Sequence, residues 1–249
     1  MNINDYRTKE RFKRSVLIKQ IGNEGQQKLF EKKILVAGAG GLGSGVISSL
    51  VSLGIGSLGI IDFDKVERSN LNRQFIHAEN AEGKFKAESA YQWIKNYSSD
   101  TRVNIYKIKL DENFQGNFFE NYDLVIDCFD SFKSKFVLNE ICVKKGVPFI
   151  HGGVEEFSGQ VLTVIPGKSS CLSCLFDDPD IYTQRIIGII SPTVNVIASI
   201  QAMEAVKYLL NTGSLLTDTL LTYDGLKQKF KKINLTHKKN CSVCMPLIN

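Results

Sequence analysis

The sequence predicts a doubly wound α/β fold, with a mostly parallel sheet, closing C-terminal antiparallel strands and a four-cysteine metal clip. Three observations predict it. Short apolar runs alternate with stretches of helical periodicity from Lys33 to His151, the pattern of a parallel sheet covered on both faces. A glycine run, Gly38-Ala39-Gly40-Gly41-Leu42-Gly43, separates the first apolar run from the first helical one. After Gly152 the style changes, and two C-x-x-C pairs appear.

The elements follow in order. The first ~30 residues read as a charged helical extension with Phe12, Val16, Ile18 and Ile21 as apolar members. Lys33 to Ala37 is a buried strand, Leu42 to Leu53 a helix, and Ser57 to Asp62 a second buried strand. Phe63 to Gly83 is polar and irregular. Lys84 to Tyr97 has helical spacing of Phe85, Ala90, Trp93, Ile94 and Tyr97. Val103 to Ile108 alternates like a strand, and Asp123 to Asp127 is a further buried one. Phe132 to Lys145 is a helix that stops at Gly146 before Pro148, and Pro148 to His151 is the next strand. Gln160 to Ile165, Leu220 to Tyr223 and Gln228 to Leu235 read as strands, with a long helix from about Thr193 to Leu210.

The 249 residues, 43% of them hydrophobic, suffice for one large domain. We divide it into the extension (1–30), the alternating part with the glycine loop (31–152) and the part that bears the C-x-x-C pairs (153–249). A net charge of +5 is mild and predicts no nucleic-acid partner. Lys227, Lys229, Lys231 and Lys232 read as a solvated strand face, with an acidic or phosphate-rich partner as the alternative. No apolar run reaches the ~18 residues of a membrane helix, and the polar N-terminus is no secretory signal, so a cytoplasmic protein is expected. In that reducing compartment Cys171, Cys174, Cys241 and Cys244 fit tetrahedral zinc better than disulfides. A shell of four thiolates is closed, which makes the metal structural. Cys128 and Cys142 sit in apolar settings and read as inert thiols.

The glycine loop carries chemistry. Glycines permit a tight turn and let a phosphate approach the backbone at a helix N-terminus. Asp62 lies 19 residues after Gly43 at the end of the second strand, the spacing of a carboxylate that binds ribose. This leaves NAD and ATP both open. The segment Ser69-Asn70-Leu71-Asn72-Arg73-Gln74-Phe75 favours ATP: an adenylating enzyme must hold three phosphates, neutralise charge during attack and expel pyrophosphate. Arg73 and Lys86 would supply cations, and Asp130, just past the fourth strand, would hold Mg²⁺. Each has a bland reading: a surface ion pair for Arg73, a solvated helix residue for Lys86, a helix N-cap for Asp130. His77, His151 and His237 have no evident partner in sequence.

Taken in order, these motifs resemble the HesA/MoeB/ThiF family, relatives of the ubiquitin-activating enzymes. The marks are Arg11-Phe12-Lys13-Arg14, Gly38 to Gly43, Asp62-Phe63-Asp64, Ser69 to Gln74, Lys86, Asp127-Cys128-Phe129-Asp130, both C-x-x-C pairs and Gln201 to Lys207. The resemblance covers nearly the whole chain. It implies ATP-dependent adenylation of the C-terminal Gly-Gly of a ubiquitin-like sulfur-carrier protein, for thiamin or molybdopterin synthesis. It implies nucleotide contacts from Gly38, Gly40, Gly41, Gly43, Asp62, Asp64, Asn70, Arg73, Gln74, Lys86, Asp130 and Ser131. Arg14 would reach the ATP of a neighbouring subunit, which implies a homodimer. The alternatives are the same chemistry on a peptide or a modified tRNA, an NAD-dependent oxidoreductase, or a non-catalytic nucleotide-binding scaffold. Ser131 stands where the family usually has asparagine, and Asn195 and Ala198 where small glycines are usual. The loop Asp177 to Gly188 would cover the carrier tail. There Gln184 takes the place of a cysteine that bonds covalently to the carrier in some relatives, so no nucleophilic thiol is assigned. Five residues follow Cys244, and a separate sulfur donor is expected.

Overall fold

The computed structural model describes residues 1–114, 116–176 and 187–245. Its frame is an eight-stranded sheet in the order β3-β2-β1-β4-β5-β6-β7-β8. The parallel part comprises β1 (Lys33–Ala37), β2 (Ser57–Ile61), β3 (Arg102–Tyr106), β4 (Leu124–Asp127) and β5 (Phe149–Glu155). β6 (Ser158–Val164), β7 (Thr219–Asp224) and β8 (Lys229–Asn234) continue it antiparallel.

The apolar runs are continuous because both faces are covered. Ile34 and Val36 of β1 point to one core, which they share with α3 (Gly41–Ser52), α4 (Lys86–Tyr97) and α7 (Ser191–Leu210). Leu35 and Ala37 point to the other, built with α5 (Phe132–Lys145) and the cysteine-bearing segments. Every second residue therefore serves a different layer. α5 ends at Gly146, which adopts the left-handed conformation (φ 69°) that a helix C-terminus favours. α7 lies directly on β5 and β6: a methyl group on Gly152 would meet the Gln201 amide at 2.4 Å.

The strands and helices fall where periodicity places them, with ends shifted by one or two residues and β5 extended to Glu155. The N-terminal extension is the exception in detail. It forms two helices, α1 (Tyr6–Phe12) and α2 (Gly22–Glu31). Asp5 caps α1 by accepting from the Thr8 N–H, and Phe12 packs edge-on against Phe30 at 5.0 Å. Of the expected apolar members, Phe12 is buried, Val16 and Ile21 are half-buried and Ile18 is exposed. All six residues of β8 are exposed, so the lysine cluster is the solvated strand face, with Lys227 paired to Asp224. No helix among the described residues is long and apolar enough to cross a membrane.

The motif Gln201 to Lys207 is a packing device. Gln201 donates to the carbonyls of Asp127 and Ile150, joining α7 to β4 and β5. The buried Glu204 accepts from Thr163 Oγ1 and the Leu216 N–H and pairs with Lys207, which holds the chain between α7 and β7. Cys171 is the N-cap of α6 (Leu172–Leu175), which contains Cys174.

Candidate functional site

Strand order reverses direction between β1 and β4, and ligands of open α/β sheets bind at the carboxyl edge of such a switch point. The glycine loop lies at that edge. Gly38 (φ 106°) and Gly43 are obligatory for packing, since a Cβ on either would meet backbone oxygen at 2.7 and 2.1 Å. Gly40 and Gly41 are spared such contact; their nearest neighbours are the side chains of Gln74, at 3.6 Å, and Val194, at 3.2 Å. Among the described residues no side chain caps α3 at Gly40, so the helix offers its first N–H groups to an anion.

Asp62 is 7% exposed, and its oxygens accept from the N–H groups of Ala39 and Asp64, both at 2.8 Å. Burial pushes its carboxyl above the ordinary value, opposed by the Ala39 hydrogen bond and the Lys86 charge. Its first duty is thus to fasten the glycine loop to the end of β2.

A cavity of about 200 Å³ opens beside this loop, lined by Asp64, Lys65, Glu67, Asn70, Arg73, Gln74, Lys86 and Asp130. Six of the expected site residues converge there from three stretches of sequence. Lys86 is buried and pairs with Asp64 at 3.0 Å, which removes the reading of a solvated helix residue. Arg73 has no carboxylate partner among the described residues and donates to the Ser69 carbonyl and Asn72 Oδ1. Asn70 takes the Glu67 N–H on its side-chain oxygen, which folds the Ser69–Gln74 loop. Gln74 is buried, and its Oε1 has no hydrogen-bond partner among the described residues. Asp130 is exposed and free of hydrogen bonds and ion pairs among the described residues. It does not cap α5. Ser131 does, accepting from the Ser134 N–H.

Seven expected residues do not line the cavity: the four glycines and Asp62, which belong to the loop beside it, and Ser131 and Arg14. Ser131 caps α5 and is absent from the lining. Arg14 is exposed in the turn after α1 and bonds to no described residue of its own chain. Gln184 and residues 177–186 of the expected covering loop lie outside the described residues.

The histidines do have partners, contrary to the sequence reading. His77 bridges the Ala39 carbonyl and Ser89, and His237 lies 4.0 Å from both Asp218 and Cys244 Sγ. His151 Nδ1 donates to Asp127 at 2.8 Å, while Lys135 contacts both Asp127 oxygens and the Gly152 carbonyl. Burial alone would raise the Asp127 carboxyl, but Lys135 and His151 outweigh it and hold it below the ordinary value. The Phe129 N–H also bonds to Asp127, so this buried cluster sets the start of the loop that carries Asp130. Its members lie on β4, α5 and β5, and no local motif announces it. Lys135→Met strands a buried carboxylate, and urea denaturation should show a loss of about 3–5 kcal/mol.

The sulfurs of Cys171, Cys174, Cys241 and Cys244 all lie within 4.8 Å of one another. The closest pairs are Cys171–Cys241 at 3.7 Å and Cys174–Cys244 at 3.4 Å. A tetrahedral zinc with bonds of ~2.3 Å has sulfur–sulfur edges of about 3.8 Å, so the donor set and spacing fit. Asn139 accepts from the Leu172 N–H and holds the first knuckle. Cys128 and Cys142 are buried, and burial pushes both thiols well up.

The chain is similar to several known proteins. The family model described as the ThiF family matches residues 12–243. A SAMP-activating enzyme E1 of Haloferax volcanii is 35% identical over 94% of the chain and 88% of that protein. A sulfur carrier protein adenylyltransferase of Thermus thermophilus is 33% identical over 94% of the chain and 90% of its own length. An adenylyltransferase and sulfurtransferase MOCS3 of Dictyostelium discoideum is 35% identical, but the chain spans only 57% of it. Among solved structures, E. coli MccB superposes with a TM-score of 0.83 over 98% of the chain and 75% of MccB, at 24% identity. Since the family model matches residues 12–243, a range that includes the glycine loop and the residues of the cation-lined cavity, the chain belongs to the ThiF family.

Proposed function

We propose that this protein adenylates the C-terminal Gly-Gly carboxylate of a small ubiquitin-like sulfur-carrier protein: carrier carboxylate plus ATP gives carrier acyl-adenylate plus pyrophosphate. One observation carries the reading. Arg73, Lys86, Gln74, Asp64 and Asp130 share one cavity beside uncapped helix N–H groups. The names of the Haloferax and Thermus relatives point the same way.

The chemistry asks mainly for position and charge. In this reading Asp62 meets the ribose through the lone pairs it retains, and the glycine loop receives phosphate oxygens. Lys86 and Arg73 offset the charge that builds up as the carboxylate attacks the α-phosphate. Asp130 and Asp64 offer hard oxygen donors suited to Mg²⁺, which would supply charge neutralisation on the leaving pyrophosphate. The four cysteines would hold a structural zinc that clips residues 241–245 to α6. Residues 1–30 would serve as the extension, 31–152 the nucleotide and 153–249 the carrier. Arg14, exposed and bonded to no described residue, fits a homodimer in which it completes the partner's site. A separate sulfur donor would follow, feeding either thiamin or molybdopterin synthesis.

The test is ATP–pyrophosphate exchange against a panel of Gly-Gly-ended carriers, beside thermal melting. Mg-ATP at ~100 Kd should raise stability by about 2.7 kcal/mol, and NAD should have no effect. A larger shift with NAD, or no exchange with any carrier, would reject the proposal.

A further inference from the structure

His77 occupies a junction that the adenylation chemistry itself does not use. It is 5% exposed. Its Nε2 lies 2.8 Å from the Ala39 carbonyl and its Nδ1 2.9 Å from Ser89 Oγ. A carbonyl only accepts, so Nε2 carries the proton, and Nδ1 accepts from the Ser89 hydroxyl. Burial holds the ring neutral by pushing its pKa below the usual histidine value, with Lys86 adding to the effect.

Three segments of the site meet in this side chain. Ala39 belongs to the glycine loop. His77 itself ends the loop that supplies Arg73 and Gln74, and its N–H bonds to the Gln74 carbonyl at 3.0 Å. Ser89 lies one turn along α4 from Lys86. Asp62 grips the N–H of Ala39 at 2.8 Å while His77 grips its carbonyl, so that residue is held at both ends. In a planar trans peptide the N–H of Gly40 points opposite to the Ala39 carbonyl. It therefore points away from His77, and among the described residues it has no acceptor.

We propose that His77 is a positioning residue that aims the Gly40 N–H at the phosphate chain of the bound nucleotide, through the Ala39 carbonyl and with Ser89 as its brace. The inference rests on the adenylation reading and adds to it a residue outside the cavity lining. Without the imidazole, the Ala39–Gly40 peptide is free to rotate, and the donor is no longer presented in one direction. Only ligands that carry phosphate should notice.

The experiment compares His77→Leu, His77→Gln and Ser89→Ala with the wild type, with Mg-ATP measured by titration calorimetry and adenosine by ligand-observed NMR. His77→Leu should weaken Mg-ATP by about tenfold and leave adenosine unchanged, the scale of one hydrogen bond misdirected. His77→Gln, whose amide nitrogen reaches the place of Nε2, should restore most of the loss. Ser89→Ala should weaken Mg-ATP by about two- to threefold. Unchanged Mg-ATP affinity in His77→Leu overturns the inference, as does an equal loss for adenosine or a Gln variant as weak as the Leu variant. If circular dichroism shows that the Leu variant is unfolded, Ser89→Ala decides, and an unchanged affinity there overturns it. Failure of the wild type to bind Mg-ATP overturns the adenylation reading and this inference together, whereas normal binding in every variant overturns only the latter.

Discussion

Asp130→Ala should lower ATP–pyrophosphate exchange by at least about 10²–10³-fold, the scale set by losing one preorganised electrostatic group. The side chain is exposed and bonds to no described residue, so its removal leaves no orphaned donor. Stability should therefore stay within about 0.5 kcal/mol of wild type, as for ordinary surface positions. The pairing of a large loss in activity with an unchanged melting curve separates a role in the reaction from a role in the fold. Ser131→Ala supplies the contrast. It removes the α5 cap and should cost about 1 kcal/mol of stability with little loss of exchange. Exchange near the wild-type rate in Asp130→Ala would place the metal and the reacting phosphate elsewhere.

Cys241→Ser should produce a large loss of stability. Cys241 and Cys244 face Cys171 and Cys174 across 70 residues of sequence, and their sulfurs belong to the second core. Metal bound only by the folded chain contributes its binding free energy to folding. With one ligand lost, stability should fall by about 3 kcal/mol or more, which lowers the melting temperature of a chain this size by roughly 6–12 °C. Metal analysis of the wild type should find zinc at about one per chain, and a strong chelator should reproduce the effect of the variant. Zinc-free wild-type protein of undiminished stability would refute the assignment.

Much of the frame was legible because regular structure prints its own period on the sequence. Ile34 and Val36 had to face one layer and Leu35 and Ala37 the other, so the run announced a doubly covered strand. Gly38 to Gly43 announced the turn, and the C-x-x-C spacing the knuckles. The convergence of Arg73, Lys86 and Asp130 was also within reach, since each lies just beyond an element whose carboxyl or amino end the α/β pattern locates. What the sequence by itself determined was thus the set of elements, their order and the kind of chemistry at their ends. Only the tertiary structure decided the partnerships. His77 meets Ala39 across 38 residues, His151 meets Asp127 across 24, and Gln201 meets the Asp127 carbonyl across 74. It also decided between neighbours: Ser131, one residue from Asp130, caps a helix while Asp130 stays free. The reason is geometric. Periodicity reports what a segment does within its own few turns, whereas a buried hydrogen bond depends on where distant segments are brought side by side, and a helix cap on the dihedral angles of one residue.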